Sequence, residues 1–249
     1  MGELIAVLSG KGGTGKTSVC AGISTALAKS GKRVLCIDCD IGLRNLDISL
    51  GLAEHSHLSF WDICIGHYTL EQLSPAPYSH NLFFLTAPVN QCASQISPDA
   101  FRRMLQQARH KYDYIFLDAP AGIEEGFRLT ANSADLVLLV TGPDPAAIRD
   151  AAHAGNLLEL MGKDNVRLVV NRVHPKMVSA IKLTIDDVMD QTGLPLMGIV
   201  PEDPNVLFAA AAGTPLLCYT LKGAAPAFRR IARRIQGFPE PVKIRSLNK

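Results

Sequence analysis

One short segment near the amino terminus limits what this chain can fold into. Residues 10–17 read Gly-Lys-Gly-Gly-Thr-Gly-Lys-Thr, directly after the apolar run Leu4–Leu8 and at the start of the helix-period segment Thr17–Ser30. An apolar strand that turns through a glycine-rich loop into a helix is the first half of a βαβ unit. The segment therefore predicts a parallel sheet, and it predicts an anion-binding site at the start of the helix.

The rest of the chain continues the alternation of strands and helices. Residues 53–80 have no clear period, and they predict an inserted helix and loop around Phe60–Ile65. We expect an α/β fold with a mostly parallel β-sheet flanked by helices on both faces. Apolar and β-branched residues predict the further strands Arg33–Ile37, Asn81–Thr86, Tyr112–Leu117, Leu136–Thr141, Val166–Val170 and Leu196–Val200. Periodicity and capping residues predict helices from Ser97, over Pro145–Met161, from Thr184 to near Gly193, over Asn205–Ala212 and over Ala225–Gln236.

Composition narrows the class of protein. The chain has 249 residues, of which 47% are hydrophobic and 19% charged, and this suits one domain with a sizeable core. We expect a single domain over 1–237 and a short basic tail over 238–249. The six cysteines lie among apolar neighbours, and the amino terminus lacks a secretion signal. These features predict a cytoplasmic protein.

Charge is distributed unevenly along the chain. Acidic residues outnumber basic ones by 22 to 17 up to residue 221, whereas basic residues outnumber acidic ones by eight to one after it. A local basic end predicts an anionic partner such as a membrane surface or nucleic acid. The alternative is a solvated helix face followed by a loose tail.

The glycine-rich loop carries the chemistry of a phosphate site. Its glycines allow a tight turn and a close backbone approach to phosphate oxygens, Lys16 supplies a positive charge for the β- and γ-phosphates, and the Thr17 hydroxyl can ligate Mg²⁺. The expected cofactors are therefore ATP and Mg²⁺. The expected nucleotide contacts in the loop are Gly10, Lys11, Gly12, Gly13, Thr14, Gly15, Lys16, Thr17 and Ser18.

Acidic residues follow two of the predicted strands. Asp38 and Asp40 end the strand Arg33–Ile37, and Asp118 ends Tyr112–Leu117. Carboxylates at the carboxyl ends of parallel strands lie at the ligand-binding edge of a sheet. An acid after four or more apolar residues is the Walker B form, which predicts that Asp118 holds the metal. Asp38 or Asp40 could instead cap the segment that follows.

A second lysine in the loop links the chain to a known family. With Lys11 and Lys16 together, the loop resembles the deviant Walker A motif of the MinD/ParA family of P-loop ATPases, which have the SIMIBI type of P-loop NTPase fold. In that family the early lysine reaches the nucleotide of a partner subunit. The resemblance implies an ATP-dependent homodimer in which Lys11, Lys16 and Asp40 serve catalysis.

The resemblance extends to about residue 237 and assigns further residues. The segment Asp38–Asp47 resembles the family's switch I, which implies that Asp40 orients the attacking water and that Asp38 lies near the metal. The segment after Asp118 resembles switch II, which implies that the Gly122 amide senses the γ-phosphate. Weaker similarity implies that Asn171 and Arg172, with Pro201, Glu202 and Asp203, bind the base.

These segments are most similar to the MinD branch of the family. The resemblance implies a slow regulatory ATPase that positions cell-division machinery through a protein activator or cargo, and that binds the inner face of the cell membrane. Alternatives within the family are a placement ATPase for flagella and a partition ATPase that binds DNA. One departure concerns the membrane: Pro239 and Pro241 follow the last predicted helix, and they leave little room for the family's separate targeting helix.

That last helix has two different sides. Apolar residues recur with helical spacing on one side, and four arginines fill the other. Such a helix suits an anionic lipid surface or, alternatively, its own sheet, and its position in the family favours docking on the sheet. The apolar residues are Phe228, Ile231, Ala232 and Ile235, and the arginines are Arg229, Arg230, Arg233 and Arg234.

Overall fold

The strands of the described part of the chain form one sheet. The structure is a computed structural model that describes residues 1–41, 43–88, 97–174, 180 and 182–242. The strands in these residues are β1 Glu3–Leu8, β2 Val34–Asp38, β3 Pro75–Ala76, β4 Ser79–Leu85, β5 Tyr114–Asp118, β6 Leu136–Thr141, β7 Val166–Val173 and β8 Leu196–Pro201. Their order in the sheet is β3-β4-β2-β5-β1-β6-β7-β8. Neighbouring strands run parallel, except that β3 pairs antiparallel with β4.

Helices cover both faces of this sheet. Their bounds are α1 Lys16–Lys29, α2 Leu46–Ser49, α3 Phe60–Cys64, α4 Pro98–Lys111, α5 Glu125–Ser133, α6 Pro145–Leu160, α7 Ile185–Thr192, α8 Asn205–Ala211, α9 Leu216–Tyr219 and α10 Ala225–Ile235, with a short 3₁₀ turn at Leu70–Gln72. Helices α1, α2, α8, α9 and α10 join one hydrophobic cluster with one side of the strands. Helices α3 to α7 pack against the other side. The predicted α/β architecture is therefore confirmed.

The strand order brings the predicted phosphate and acidic segments together. β1 lies between β5 and β6, and β2 lies on the far side of β5. In the register of the sheet, Asp118 is level with Val7 of β1 and with Asp38 of β2. The loop after β1 and the carboxylates of β2 and β5 therefore meet at one edge of the sheet, where ligands bind in open α/β folds.

Most predicted elements are confirmed to within two residues, and three kinds of difference remain. β7 continues to Val173, three residues past its predicted end. Helix α5 was not predicted because Phe127 is its only large buried apolar residue, so its apolar stripe is weak in the sequence. The short elements β3, α2 and α9 were not predicted because two to four residues carry no readable period.

The basic last helix docks on the sheet, as its position in the family favoured. On α10, Phe228 and Ile231 are almost fully buried. A β-carbon on Gly22 of α1 would lie 2.4 Å from the Phe228 ring, and one on Gly198 of β8 would lie 2.5 Å from Ile231. The absence of side chains at these two glycines is what lets α10 approach so closely. No helix in the described ranges is long and apolar enough to cross a membrane.

Candidate functional site

The loop between β1 and α1 presents free backbone donors. Gly13 and Gly15 have φ angles of 81° and 84°, in the left-handed region that glycine adopts without strain. Helix α1 begins at Lys16 with no side-chain cap and no acidic residue in its first turn. The amino end of α1 therefore keeps its unpaired N–H groups and its positive dipole end for an anion.

Lys16 forms a buried ion pair with the acid of β5. Its Nζ lies 3.1 Å from Oδ1 of Asp118, and both side chains are less than a tenth exposed. Burial alone lowers the pKa of Lys16, but the Asp118 carboxylate outweighs it and the net shift is upward, so Lys16 stays charged. Burial raises the pKa of Asp118, and contacts with Lys16 and Thr17 offset only part of that rise. The predicted phosphate lysine and Walker B acid are thus brought together.

The oxygens beside this pair suit a magnesium ion. Thr17 lies in the first turn of α1, and its hydroxyl lowers the pKa of Asp118, which indicates that the hydroxyl and the carboxylate lie near each other. Hard oxygen donors of this kind are what Mg²⁺ prefers, together with water and phosphate oxygens. Among the described residues, no group of three or more His, Cys, Asp or Glu side chains forms a complete protein-only metal site.

Asp38 holds the two ends of the following loop. Its Oδ1 accepts a hydrogen bond from the Asp40 amide at 2.9 Å, and its Oδ2 accepts one from the Leu46 amide at 3.2 Å. Burial, followed by the charge of Asp118, raises the pKa of Asp38 to about 6. Asp40 itself is partly buried, and burial raises its pKa although Lys16 pulls it down. Asp38 therefore does cap the segment, as one reading of the sequence expected, and it lies beside Asp118.

Lys11 is predicted to reach a partner subunit, and the Gly122 amide is predicted to sense the γ-phosphate. Lys11 is exposed at the start of the loop, whereas Lys16 is buried. The Gly122 amide donates to the carbonyl of Ser9 at 3.2 Å, with a φ of 93° at Gly122. This bond joins the segment after β5 to the strand end that enters the glycine-rich loop. The side-chain oxygens of Ser9 and Thr14 are buried without a hydrogen-bond partner in the described structure.

A cavity of about 730 Å³ opens beside the amino end of α1. It runs from the loop along the carboxyl ends of β7 and β8 to α8 and α10. The sequence-predicted base residues Asn171, Arg172, Pro201, Glu202 and Asp203 all line it, together with Gly15 and Ser18 of the phosphate end. The structure thus brings the two predicted halves of a nucleotide site into one continuous space.

A bulge in β7 aims two adjacent side chains at the loop. Pairing between β7 and β8 shifts register between Val170 and Val173, and Arg172 takes a positive φ of 57°. The Asn171 side-chain amide donates to the Thr14 carbonyl at 2.8 Å in a buried position. The Arg172 guanidinium donates to the Gly13 carbonyl at 3.2 Å and pairs with Glu202 at 3.0 Å. Both residues therefore tie the base side of the cavity to the glycine-rich loop.

The far wall of the cavity was not predicted. It comes from Gly22, Leu216 and Phe228, which lie far apart in the sequence and look like ordinary core residues. One signal was available: a glycine inside a helix interior costs about 1 kcal/mol relative to alanine, and such a glycine usually marks a close approach. Gly22 marks the approach of Phe228.

The comparison with known proteins agrees with the fold. Residues 5–216 match the CobQ/CobB/MinD/ParA nucleotide binding domain. The septum site-determining protein MinD of Synechocystis sp. is 38% identical over 240 residues, which cover 95% of this chain and 90% of the relative.

Two solved structures show how far the similarity reaches. The MinC:MinD cell division protein complex of Aquifex aeolicus has a chain that is 38% identical with a TM-score of 0.89, covering 97% of this chain and 98% of that one. The septum site-determining protein MinD complexed with Mg-ADP from Pyrococcus horikoshii is 28% identical with a TM-score of 0.82, covering 94% and 96%. Because the family model matches residues 5–216 and the MinD relatives cover nearly the whole chain, the chain belongs to the MinD branch of the CobQ/CobB/MinD/ParA family of P-loop ATPases.

Proposed function

We propose that this chain binds ATP with Mg²⁺, that ATP joins two copies into a homodimer, and that the dimer positions cell-division machinery. The observation that carries the proposal is the difference between the two lysines of one loop. Lys16 is buried on Asp118, whereas Lys11 is exposed at the loop's start. A buried lysine suits its own nucleotide, and an exposed one is free to reach a second subunit.

Different residues of the site bind the phosphates, the metal ion, the attacking water and the base. Lys16 and the amides of residues 10–18 bind the phosphates, since charge and oriented N–H groups stabilise phosphoryl oxygens. When bound, Mg²⁺ neutralises charge on the phosphates, and Thr17 and Asp118 would hold it, with Asp38 nearby. Asp40 orients the attacking water, and the Gly122 amide contacts the γ-phosphate. Asn171, Arg172, Pro201 and Glu202 hold the base and ribose end.

The partner follows from what the relatives are called. The Aquifex structure is titled a MinC:MinD cell division protein complex, and the curated relative is called septum site-determining. We therefore propose a protein activator or cargo of the cell-division type for this chain. We also propose that it works in the cytoplasm and, in its ATP state, at the inner face of the cell membrane.

The test of the proposal measures dimerisation and turnover together. Light scattering after size-exclusion chromatography should give a dimer with ATP and Mg²⁺ and a monomer with ADP. Asp40→Ala should keep the dimer and lose turnover, because it removes the group that orients water. Lys11→Ala should bind nucleotide and stay monomeric. If Lys11→Ala dimerises with ATP and hydrolyses it at the normal rate, the cross-subunit role is wrong.

The anionic partner needs a separate experiment. On α10, Arg229 and Arg230 are partly exposed and Arg233 is exposed, although Arg233 also pairs with Glu240. We propose that this basic face contacts anionic lipid. Pelleting with anionic liposomes and, in parallel, with duplex DNA should show ATP-dependent retention on liposomes. Retention on DNA alone, falling steeply with salt, would favour the partition function instead.

A further inference from the structure

Asp203 is held by the protein on both sides of its carboxylate. Its Oδ1 accepts hydrogen bonds from the backbone amide of Asn205 at 2.9 Å and from the side-chain amide of Asn205 at 2.7 Å. Its Oδ2 accepts one from the amide of Ala224 at 2.8 Å. A carboxylate offers about four lone-pair positions, so three of them are filled by the chain itself.

The turn before α10 is built around this carboxylate. Gly223 has a φ of 62°, and a β-carbon there would lie 1.9 Å from Oδ2 of Asp203. Ala224 is the N-cap residue directly before α10, so the carboxylate lies at the positive end of that helix. Glycine at 223 is therefore required twice, for its backbone angle and for the space that Asp203 occupies.

The bond joins two walls of the nucleotide cavity. Asp203 follows β8, where Pro204 and Val206 line one wall. Ala224 leads into α10, whose Phe228 lines the opposite wall against Gly22 of α1. No hydrogen bond between described residues other than the one from the Ala224 amide to Asp203 directly joins residues 201–206 with residues 220–228.

We propose that Asp203 is a positioning residue that sets the separation of these two walls and, through it, the affinity for the nucleotide. In this role the Asp203 carboxylate accepts hydrogen bonds from the protein and makes no direct contact with the base. The inference rests on the proposed function in one respect, which is that the cavity holds the base. It gives Asp203 a supporting role, in place of the direct nucleotide contact that the sequence predicts.

The experiment compares variants that break the bond from its two sides. Asp203→Ala removes the acceptor, and Gly223→Ala displaces it. Calorimetry with ADP and Mg²⁺ should show both variants binding roughly ten- to a hundredfold more weakly, as expected when a partly buried carboxylate and its donors lose each other. Steady-state turnover should show a raised KM for ATP with kcat at saturation unchanged. Asn205→Ala, which removes one of three donors, should have a smaller effect in the same direction.

A matched control separates positioning from general stability. Asp187 accepts hydrogen bonds from Thr184 at the start of α7 and is absent from the residues that line the cavity. Asp187→Ala should lower the melting temperature and leave KM unchanged. Hydrogen exchange should increase over 202–228 in Asp203→Ala and around α7 in Asp187→Ala.

The outcomes distinguish this inference from the proposed function. A wild-type protein that binds no ADP refutes the proposed function. A wild-type protein that binds ADP, with Asp203→Ala folded and binding equally well, overturns the positioning role alone. A fall in kcat with KM unchanged also overturns it, because Asp203 would then act in the reaction. If Asp203→Ala does not fold, Asn205→Ala decides by its KM.

Discussion

The two ends of the nucleotide cavity are built on opposite principles. The phosphate end gathers Lys16 of α1 with Asp38 and Asp118 of two neighbouring strands in a buried cluster of charges. The base end has apolar walls, and its polar groups are engaged with the protein: Asn171 with Thr14, and Asp203 with Asn205 and Ala224. The difference teaches that one end concentrates charged side chains at the edge of the sheet, whereas the other uses polar side chains to hold the shape of the cavity.

The largest expected loss of stability comes from a substitution that breaks the charge cluster. Lys16→Ala leaves Asp118 buried without its partner, and removing one side of a buried ion pair costs about 3–5 kcal/mol. We expect a loss of that order in the free energy of unfolding, measured with urea, and nucleotide binding below detection. Lys11→Ala is the matched control, because Lys11 is in the same loop but is exposed. Equal stability of the two variants would mean that the Lys16–Asp118 pair is not formed.

The next effect concerns the contact between the two ends. Gly15→Ala places a β-carbon 2.3 Å from the Asn171 side-chain nitrogen, at a φ of 84°. We expect a loss of about 2–4 kcal/mol, made up of about 1–2 for the left-handed backbone and the rest for the broken bond. Gly162→Ala, at a φ of 73° with open space around it, should show the backbone part alone. In a double-mutant cycle, Asn171→Ala should remove the additional loss, and full additivity would contradict the contact.

A smaller effect separates the two residues of the β7 bulge. Asn171→Ala removes a buried bond to the loop and should cost about 1–3 kcal/mol of stability. Arg172→Ala removes exposed contacts, which should cost about 1 kcal/mol or less. Denaturant unfolding of the ligand-free proteins measures both values. If Arg172→Ala is the more costly, the loop is held from the exposed side and the comparison above is wrong.

The smallest effect on the monomer is expected at Lys11. Lys11→Ala should change the free energy of unfolding by about 0.5 kcal/mol or less, as for other exposed surface positions. Its affinity for ADP should match that of the wild type. Calorimetry on the monomer measures this, and a large loss of ADP affinity would place Lys11 at the phosphates of its own subunit.

Sequence reasoning reached the phosphate end because the information there is local. Eight consecutive residues carry the loop, and each acid directly follows a run of apolar residues, so strand, loop and helix could be read together. The strand order was needed only to bring Asp38 and Asp118 side by side.

The residues of the base end were only partly predicted from the sequence, because they lie far apart along the chain. Asn171 was found as a strand-end residue, but its bond to Thr14 spans 157 positions and leaves no local trace. The same holds for the contact of Phe228 with Gly22 and for the bond from Ala224 to Asp203. Such contacts depend on how α1 and α10 pack, which the pattern of each segment does not encode.

The hydrogen bond from the Gly122 amide to the Ser9 carbonyl has a consequence for how easily the molecule changes state. A phosphate that accepts a hydrogen bond from this amide replaces the bond to Ser9. The gain in free energy is therefore the difference between two hydrogen bonds. Differences of this kind are about 1–2 kcal/mol, because a bond to a charged acceptor exceeds a neutral one by roughly that amount. A preference of this size shifts a two-state population by about tenfold and leaves both states within thermal reach. The segment after β5 can thus return easily to the conformation in which the Gly122 amide is bonded to Ser9.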